Sequence, residues 1–416
     1  MGREAPTGVR SVLYRVGREL WEDDKGWVLV FVAGGWFFVL GTRFVFPALL
    51  PEIKGTFGLS NTTAGAAITA IWIAYAAVQF PSGAFSDRVG ERLVLVVSVL
   101  VATVAVGIVV LAPAFLPFLL GAVLFGLGTG LYGPPRVIVL SNTYSRRDST
   151  AIALTFAAGS LGSAALPFVG GRLAAAFDWR AGFAAVLVPF LLVSVGLWRF
   201  LPEHASTVER AAEQSVGQVA RRLASAVTDR SVLLAWAGMS LSLFVFQGVT
   251  SFLPTYLVSA KGLSTGTAAT VFGVFFVVGA VAQPVSGALG DRFGRRRVLV
   301  ALAGVGAVPL ALLPFGYGLP VLAALAVFLG VRLGLGPLNN AYIADAFPSD
   351  IQGAGYGFVR TFHMAVGSTG AVVIGYMADA SLFDEAFLLL AGLSLTSMVL
   401  YAGLPDPTAT SHDSGG

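Results

Sequence analysis

The 416-residue chain has no cysteine, only three histidines and a charged fraction of 12%. Without cysteine there is no disulfide framework, no thiol nucleophile and no cysteine-ligated metal. His204, His363 and His412 lie too far apart in sequence to suggest a zinc site. A soluble domain carries about 25% charged residues, so a fraction half that size leaves too little polar surface for a water-soluble fold. No Walker loop, dinucleotide fingerprint or nucleophile elbow occurs in a fitting strand-to-helix setting. The chain is therefore not expected to be an enzyme, and no cofactor or metal is expected. Any energy for its work must come from an ion or solute gradient rather than from ATP.

What is present is apolar. Hydrophobic residues make up 56% of the chain and the mean hydropathy is +0.82, more apolar surface than a soluble core could hide. Twelve apolar segments approach the roughly 20 residues that a bilayer crossing needs. Six fall within 27–200 and six within 231–404, the eleventh at 353–378. Segment 1–26 carries Val9, Leu13, Val16 and Leu20 at helical spacing, which predicts an amphipathic helix. The linker 201–230 repeats that pattern through Val208, Ala212, Val216, Val219, Leu223 and Val227. The polar tail 405–416 is expected to be disordered.

The basic residues fix an orientation. With both termini inside, only Lys54, Arg172, Arg180 and Lys261 fall in external loops, and Arg43, Arg136, Arg332 and Arg360 fall within spans. The other 18 of the 26 Lys and Arg face the cytoplasm. That split obeys the positive-inside rule, so the net charge of +4 reflects topology and gives no sign of nucleic-acid binding. The expected location is the cytoplasmic (inner) membrane, crossed many times, with both termini cytoplasmic.

The chain also repeats itself. Gly83-Ala84-Phe85-Ser86-Asp87-Arg88-Val89-Gly90-Glu91-Arg92 returns as Gly287-Ala288-Leu289-Gly290-Asp291-Arg292-Phe293-Gly294-Arg295-Arg296, 204 residues later. The same register pairs Gln79 with Gln283, Ser82 with Ser286, Gly126 with Gly330 and Gly130 with Gly334. A repeat this long, built of apolar segments, reads as two membrane bundles. The doubled G-x-x-x-D-R-x-G-x-R pattern resembles the signature loop of the major facilitator superfamily. That resemblance covers essentially the whole chain. It implies an all-α polytopic membrane protein with twelve transmembrane helices in two pseudo-symmetric six-helix bundles. It also implies a transporter alternating between inward-open and outward-open states.

The motif has a physical reading of its own. Asp87 and Asp291 fall where a helix ends at the inner surface, placed to bond backbone N–H groups or to pair with arginine across the bundle. Gly90 and Gly294 permit the turn, while Gly83 and Gly287 allow a close helix approach. Arg88, Arg92, Arg292, Arg295 and Arg296 supply the basic side of a charged latch that would break as the halves rock. Glu91 stands where the motif usually has a basic residue, so the first latch is expected to be weaker than the second.

Charges left inside spans are costly and point to function. Arg43, Arg332, Arg360 and His363 fall there, Arg360 and His363 on one helix face. Every Asp and Glu falls at a span edge, in a loop or in a tail. A basic midplane with no acidic partner favours an anionic substrate, and a guanidinium fork suits a carboxylate or phosphate. Tyr75, Gln79, Gln247, Asn339 and Asn340 complete the candidate site, and Trp36, Phe244 and Phe246 offer apolar walls. The run Arg43-Phe44-Val45-Phe46-Pro47-Ala48-Leu49-Leu50-Pro51 resembles the first span of organophosphate antiporters and anion:cation symporters of the superfamily, where the arginine binds the anion. The second arginine of the organophosphate exchangers would fall eight residues before Pro254, at Phe246, with Gln247 beside it. A paired-arginine phosphate clamp is therefore missing, which favours a carboxylate.

The expected function is secondary active transport of a small organic anion by a monomer in the lipid bilayer, coupled to an ion. The alternative is a proton-coupled multidrug or metabolite efflux antiporter. Such proteins usually present a midmembrane acid, which this chain lacks.

Overall fold

The structure is a computed structural model that describes residues 21, 25–144, 148–203, 230–345 and 352–405. Apart from Trp21, the amphipathic segments expected before residue 25 and across 204–229 lie outside the described residues, as does the tail after residue 405. All regular structure among the described residues is helical. The first half comprises α1 (Lys25–Ala48), α2 (Leu50–Phe57), α3 (Asn61–Val89), α4 (Glu91–Leu111), α5 (Phe115–Gly130), α6 (Gly133–Thr143), α7 (Asp148–Ala176), α8 (Trp179–Ala184) and α9 (Leu187–Phe200). The second comprises α10 (Arg230–Ser259), α11 (Thr265–Phe293), α12 (Arg295–Leu312), α13 (Leu319–Val331), α14 (Leu335–Asp345), α15 (Gln352–Ser368), α16 (Gly370–Asp379) and α17 (Phe383–Ala402).

Eleven helical stretches are long and apolar enough to cross a bilayer. The region expected to hold the remaining span, 353–378, is built from α15 and α16, which are interrupted at Thr369 and individually short. Other crossings break where the sequence places proline, which lacks the N–H that a helix interior requires. Pro47 precedes the junction of α1 and α2, Gly133-Pro134-Pro135 opens α6, and a 3₁₀ turn at Arg332–Gly334 precedes Pro337. The outer surface is apolar, as lipid requires, with Leu111, Leu192, Val195 and Val399 each more than 60% exposed.

The 204-residue register survives in the backbone. Helix α3 spans 61–89 and α11 spans 265–293, so both ends coincide. Ser60 and Ser264 cap them by accepting from the N–H of Thr63 and Thr267. Gly90 and Gly294 end them at φ of 84° and 89°, a backbone region that disfavours a side chain. The Ser82 hydroxyl donates to the Leu131 carbonyl at 3.0 Å, and Ser286 to that of Gly334 at 2.9 Å, tying equivalent helices in each half.

The halves meet along α3 with α15 and α16, and along α7 with α11. Phe44 on α1 lies 4.4 Å, ring to ring, from Phe276 on α11, within an apolar cluster fed by both halves. The contact is tightest at the end of the molecule opposite the repeated motifs. There Asp379, closing α16, accepts from the backbone N–H of Asn61 and of Thr62 at 2.7 Å each, and from the Thr62 hydroxyl at 2.6 Å. A carboxylate at the first turn of a helix meets unpaired donors and the positive end of the helix dipole. The neighbouring backbones are nearly in contact. A Cβ on Gly65 would sit 2.4 Å from the Ala371 carbonyl oxygen, and one on Gly375 would sit 2.3 Å from that of Asn61. Deeper along the same seam, the Thr69 hydroxyl donates to the Ser368 carbonyl at 2.9 Å.

Candidate functional site

A cavity of about 320 Å³ lies between the halves. Its walls come from α1, α3, α7, α10, α11, α14, α15 and the Arg332 turn, from mid-depth toward the motif-bearing end. Arg43, Tyr75, Arg332, Asn339, Asn340, Arg360 and His363 all line it. No Asp or Glu does so among the described residues. Trp36, Phe44, Trp72, Phe246 and Phe276 supply apolar wall; Phe244 does not reach it. Gln79 and Gln247 are not in the lining, and Gln283, the repeat partner of Gln79, is. Gln247 is 1% exposed, with both polar atoms of its amide unpaired.

Arg43 is 3% exposed and held by three helices. Its Nη2 donates to the Thr129 hydroxyl on α5 at 3.0 Å. Its guanidinium carbon lies 3.8 Å from the Tyr75 ring centroid and 4.8 Å from that of Trp72, both on α3. Stacking occupies the face of the guanidinium and leaves in-plane donors for an anion. The Arg43 Nε is buried with no acceptor. A buried donor without a partner is costly, and a carboxylate in the cavity would relieve that cost.

The other cationic groups differ. Arg332 donates to the Ser242 carbonyl at 3.0 Å and, through Nε, to the Ser394 hydroxyl at 3.5 Å, with its stem against Gly306. It ties the broken crossing to α10 and α17 as well as facing the cavity. Arg360 is half-buried and His363 is 7% exposed, one turn apart on α15. Arg136 is also buried, with its guanidinium 3.9 Å from the Trp36 centroid and 4.7 Å from that of Phe156. It packs against these two rings rather than reaching the surface.

Thr129, Trp72, Phe276 and Ser163 were not singled out from sequence. The one available signal for Thr129 was its place between Gly126 and Gly130, two small residues on one helix face.

At the motif end the contacts of Arg92, Arg292 and Arg296 do not cross between the halves. Asp291 and Arg292 are exposed, and Arg292 rests over the Phe293 ring beside it. Gly287 faces open space rather than a closely packed helix. Arg88 is exposed, and the side chain of Asp87 and the surroundings of Gly83 lie outside the described set. Arg92 pairs with Glu203 at 2.9 Å over the Trp198 ring, within its own half. Arg296 donates to the Ala402 carbonyl at 2.5 Å, again within its half. Arg295 packs partly buried next to it.

A duplicated bundle of apolar helices with a basic cavity between its halves is the architecture of a multi-pass membrane protein that takes up a solute at its centre. The family model of the Major Facilitator Superfamily matches residues 31–280 and 261–416, and the chain belongs to that superfamily. It is 28% identical over 367 residues to the hexuronate transporter of Bacillus subtilis (strain 168), covering 83% of this chain and 86% of that protein. It is 27% identical over 394 residues to the gallate transporter of Pseudomonas putida, covering 86% and 84%. The crystal structure of a nucleoside transporter superposes with a TM-score of 0.78 at 13% identity, over 91% of this chain and 99% of that one, a likeness of fold alone.

Proposed function

We propose that the protein is a secondary active transporter of a small organic anion, a carboxylate, working by alternating access and driven by an ion or solute gradient. The observation that carries this reading is the charge of the central cavity. It presents Arg43, Arg332, Arg360 and His363, and no carboxylate among its described lining residues. Relatives named for hexuronate and for gallate, both carboxylates, support the same substrate class. The aromatic wall beside Arg43 suits a flat or compact apolar body. By the positive-inside rule the motif end is the cytoplasmic one, and the bonds at Asp379 close the outer end.

The test is a thermal-shift screen of the purified protein against glucuronate, gallate, inorganic phosphate and a cationic dye, followed by proteoliposome uptake of the best ligand with and without a pH gradient. A ligand that binds the folded state raises the melting temperature. Stabilisation by the carboxylates, and their uptake, supports the reading. Stabilisation by the cationic dye alone overturns it in favour of efflux of cations.

A further inference from the structure

The duplication offers a comparison inside one chain. Adding 204 to Arg43 gives Gln247, one residue past the Phe246 that the proline spacing marks; adding it to Thr129 gives Leu333, and to Tyr75 gives Gly279. In the second half the hydroxyl acceptor is an apolar side chain, and Leu333 fills the space over Gly279, where an added Cβ would lie 2.0 Å from it. Gln247, at the arginine position, is buried with an unpaired amide and does not reach the cavity. Where the threonine and tyrosine are absent, the cavity is met by the apolar Phe246 and the polar Gln247 beside it stays out of the lining.

The first half shows how the threonine acts. The Thr129 hydroxyl gives its single proton to backbone carbonyls of its own helix, at 2.8 Å to Phe125 and 3.3 Å to Gly126. Its oxygen is therefore left as an acceptor facing Arg43. The approach is made possible by Gly126 and Gly130. A Cβ on Gly126 would lie 2.4 Å from the Ile71 carbonyl oxygen, and one on Gly130 would lie 2.5 Å from that of Tyr75. These two contacts press α5 against the turn of α3 that carries Tyr75, which brings Thr129 beneath the guanidinium.

We infer that Thr129 is a positioning residue for Arg43: its hydroxyl takes one guanidinium donor, fixes the plane over Tyr75 and turns the remaining donors toward the substrate carboxylate. This deepens the anion-transport reading and rests on it for the substrate, though not for the geometry.

Two measurements on the full-length protein test it. The first needs no ligand. In protein labelled with nitrogen-15 arginine, the Arg43 side-chain signal is identified by its loss in Arg43→Lys. Thr129→Val, nearly the same in shape, is expected to free rotation about the Arg43 Cζ–Nη2 bond and average its N–H signals. Thr129→Ser is expected to keep them separate. The second is equilibrium binding of glucuronate and of gallate. Thr129→Val should weaken binding roughly two- to tenfold, less than loss of the guanidinium's own bonds to the anion, because the threonine acts only through the arginine. Thr129→Ser should restore it, and Thr129→Val should add nothing in an Arg43→Lys background. Unchanged Arg43 signals in a folded Thr129→Val protein overturn the inference, as does an equal loss of affinity in the Arg43→Lys background. If neither anion binds the parent, the carboxylate reading fails, and the arginine signals still decide the role of Thr129.

Discussion

Asp379 and Thr62, 317 residues apart, are joined by two hydrogen bonds, one from the Thr62 backbone at 2.7 Å and one from its hydroxyl at 2.6 Å. With the third bond from Asn61, they form a polar bolt between the halves at the closed end. The repeated motifs directed attention to a latch at the other end. There Arg92 and Arg296 bond within their own halves, and Asp291 and Arg292 face solvent.

Asp379→Asn removes the negative charge from the first turn of α3 and leaves a weaker acceptor. The closed end is expected to open more often. The absence of native cysteine makes this measurable: a single Thr69→Cys, buried in the same seam, should react faster with a membrane-impermeant maleimide in the Asp379→Asn background. Equal labelling rates would remove Asp379 from the gate.

The same carboxylate sets a pH expectation. Partial burial acts to raise its pKa, but the bonds from Thr62 and Asn61 outweigh this and hold it at about 2, below its ordinary 3.8. A lowered pKa contributes stability that is present above the ordinary value and is lost only as the pH falls through the shifted one. Maleimide labelling at Thr69→Cys should therefore change little through protonation of Asp379 between about pH 8 and about pH 5. A titration of that rate with a midpoint near neutrality, abolished by Asp379→Asn, would contradict the assignment.

Arg43→Ala is expected to weaken anion binding about ten- to a hundredfold, since a hydrogen bond to a charged group contributes on the order of 1.5–3 kcal/mol. Arg43→Lys should recover only part, because an ammonium cannot stack flat on Tyr75 while bonding Thr129. The measurement is titration calorimetry with glucuronate or gallate on monodisperse protein. Parent-like affinity in Arg43→Ala would move the efflux alternative to first place.

Arg332 should behave differently. Arg332→Met keeps the volume but removes the charge-assisted bonds to the Ser242 carbonyl and the Ser394 hydroxyl, at a cost of about 1.5–3 kcal/mol. A clear fall in melting temperature is expected, with a smaller change in anion affinity than Arg43→Ala gives. The reverse ranking would make Arg332 the principal anion contact.

Asp291→Asn should destabilise the conformation closed at the motif end and so favour the one closed at the outer end. Combined with Asp379→Asn, it should partly restore the parent balance, read by maleimide labelling at both ends. Two variants that shift the labelling in the same direction would exclude opposed gates.

Much of this was legible in the sequence because membrane crossing and duplication leave long-range regularities. The register of 204 anticipated the shared ends of α3 and α11, and the absence of Asp and Glu from the spans anticipated a cavity lined with Arg43, Arg332 and Arg360. The partners of those arginines were not legible. Thr129 is 86 residues from Arg43, and only the approach of α5 at Gly126 and Gly130 joins them. Gln247 and Gln79 looked as eligible as Gln283, because a span pattern gives the face of a helix but not which neighbour covers it. Asp379 looked like an ordinary span-edge carboxylate, since its role depends on a helix start more than 300 residues away.

The bolt is not repeated in kind. The position equivalent to Asp379 in the first half is Ala175, with a cavity of about 520 Å³ beside it, and it is Glu52 on α2 that bonds Thr265 at the start of α11. Opening at this end is then resisted by two unlike contacts rather than by two matching ones. Turnover speed could be tuned by single substitutions at Asn61, Thr62 or Asp379 without altering what the cavity recognises, which separates how fast such a transporter works from what it carries.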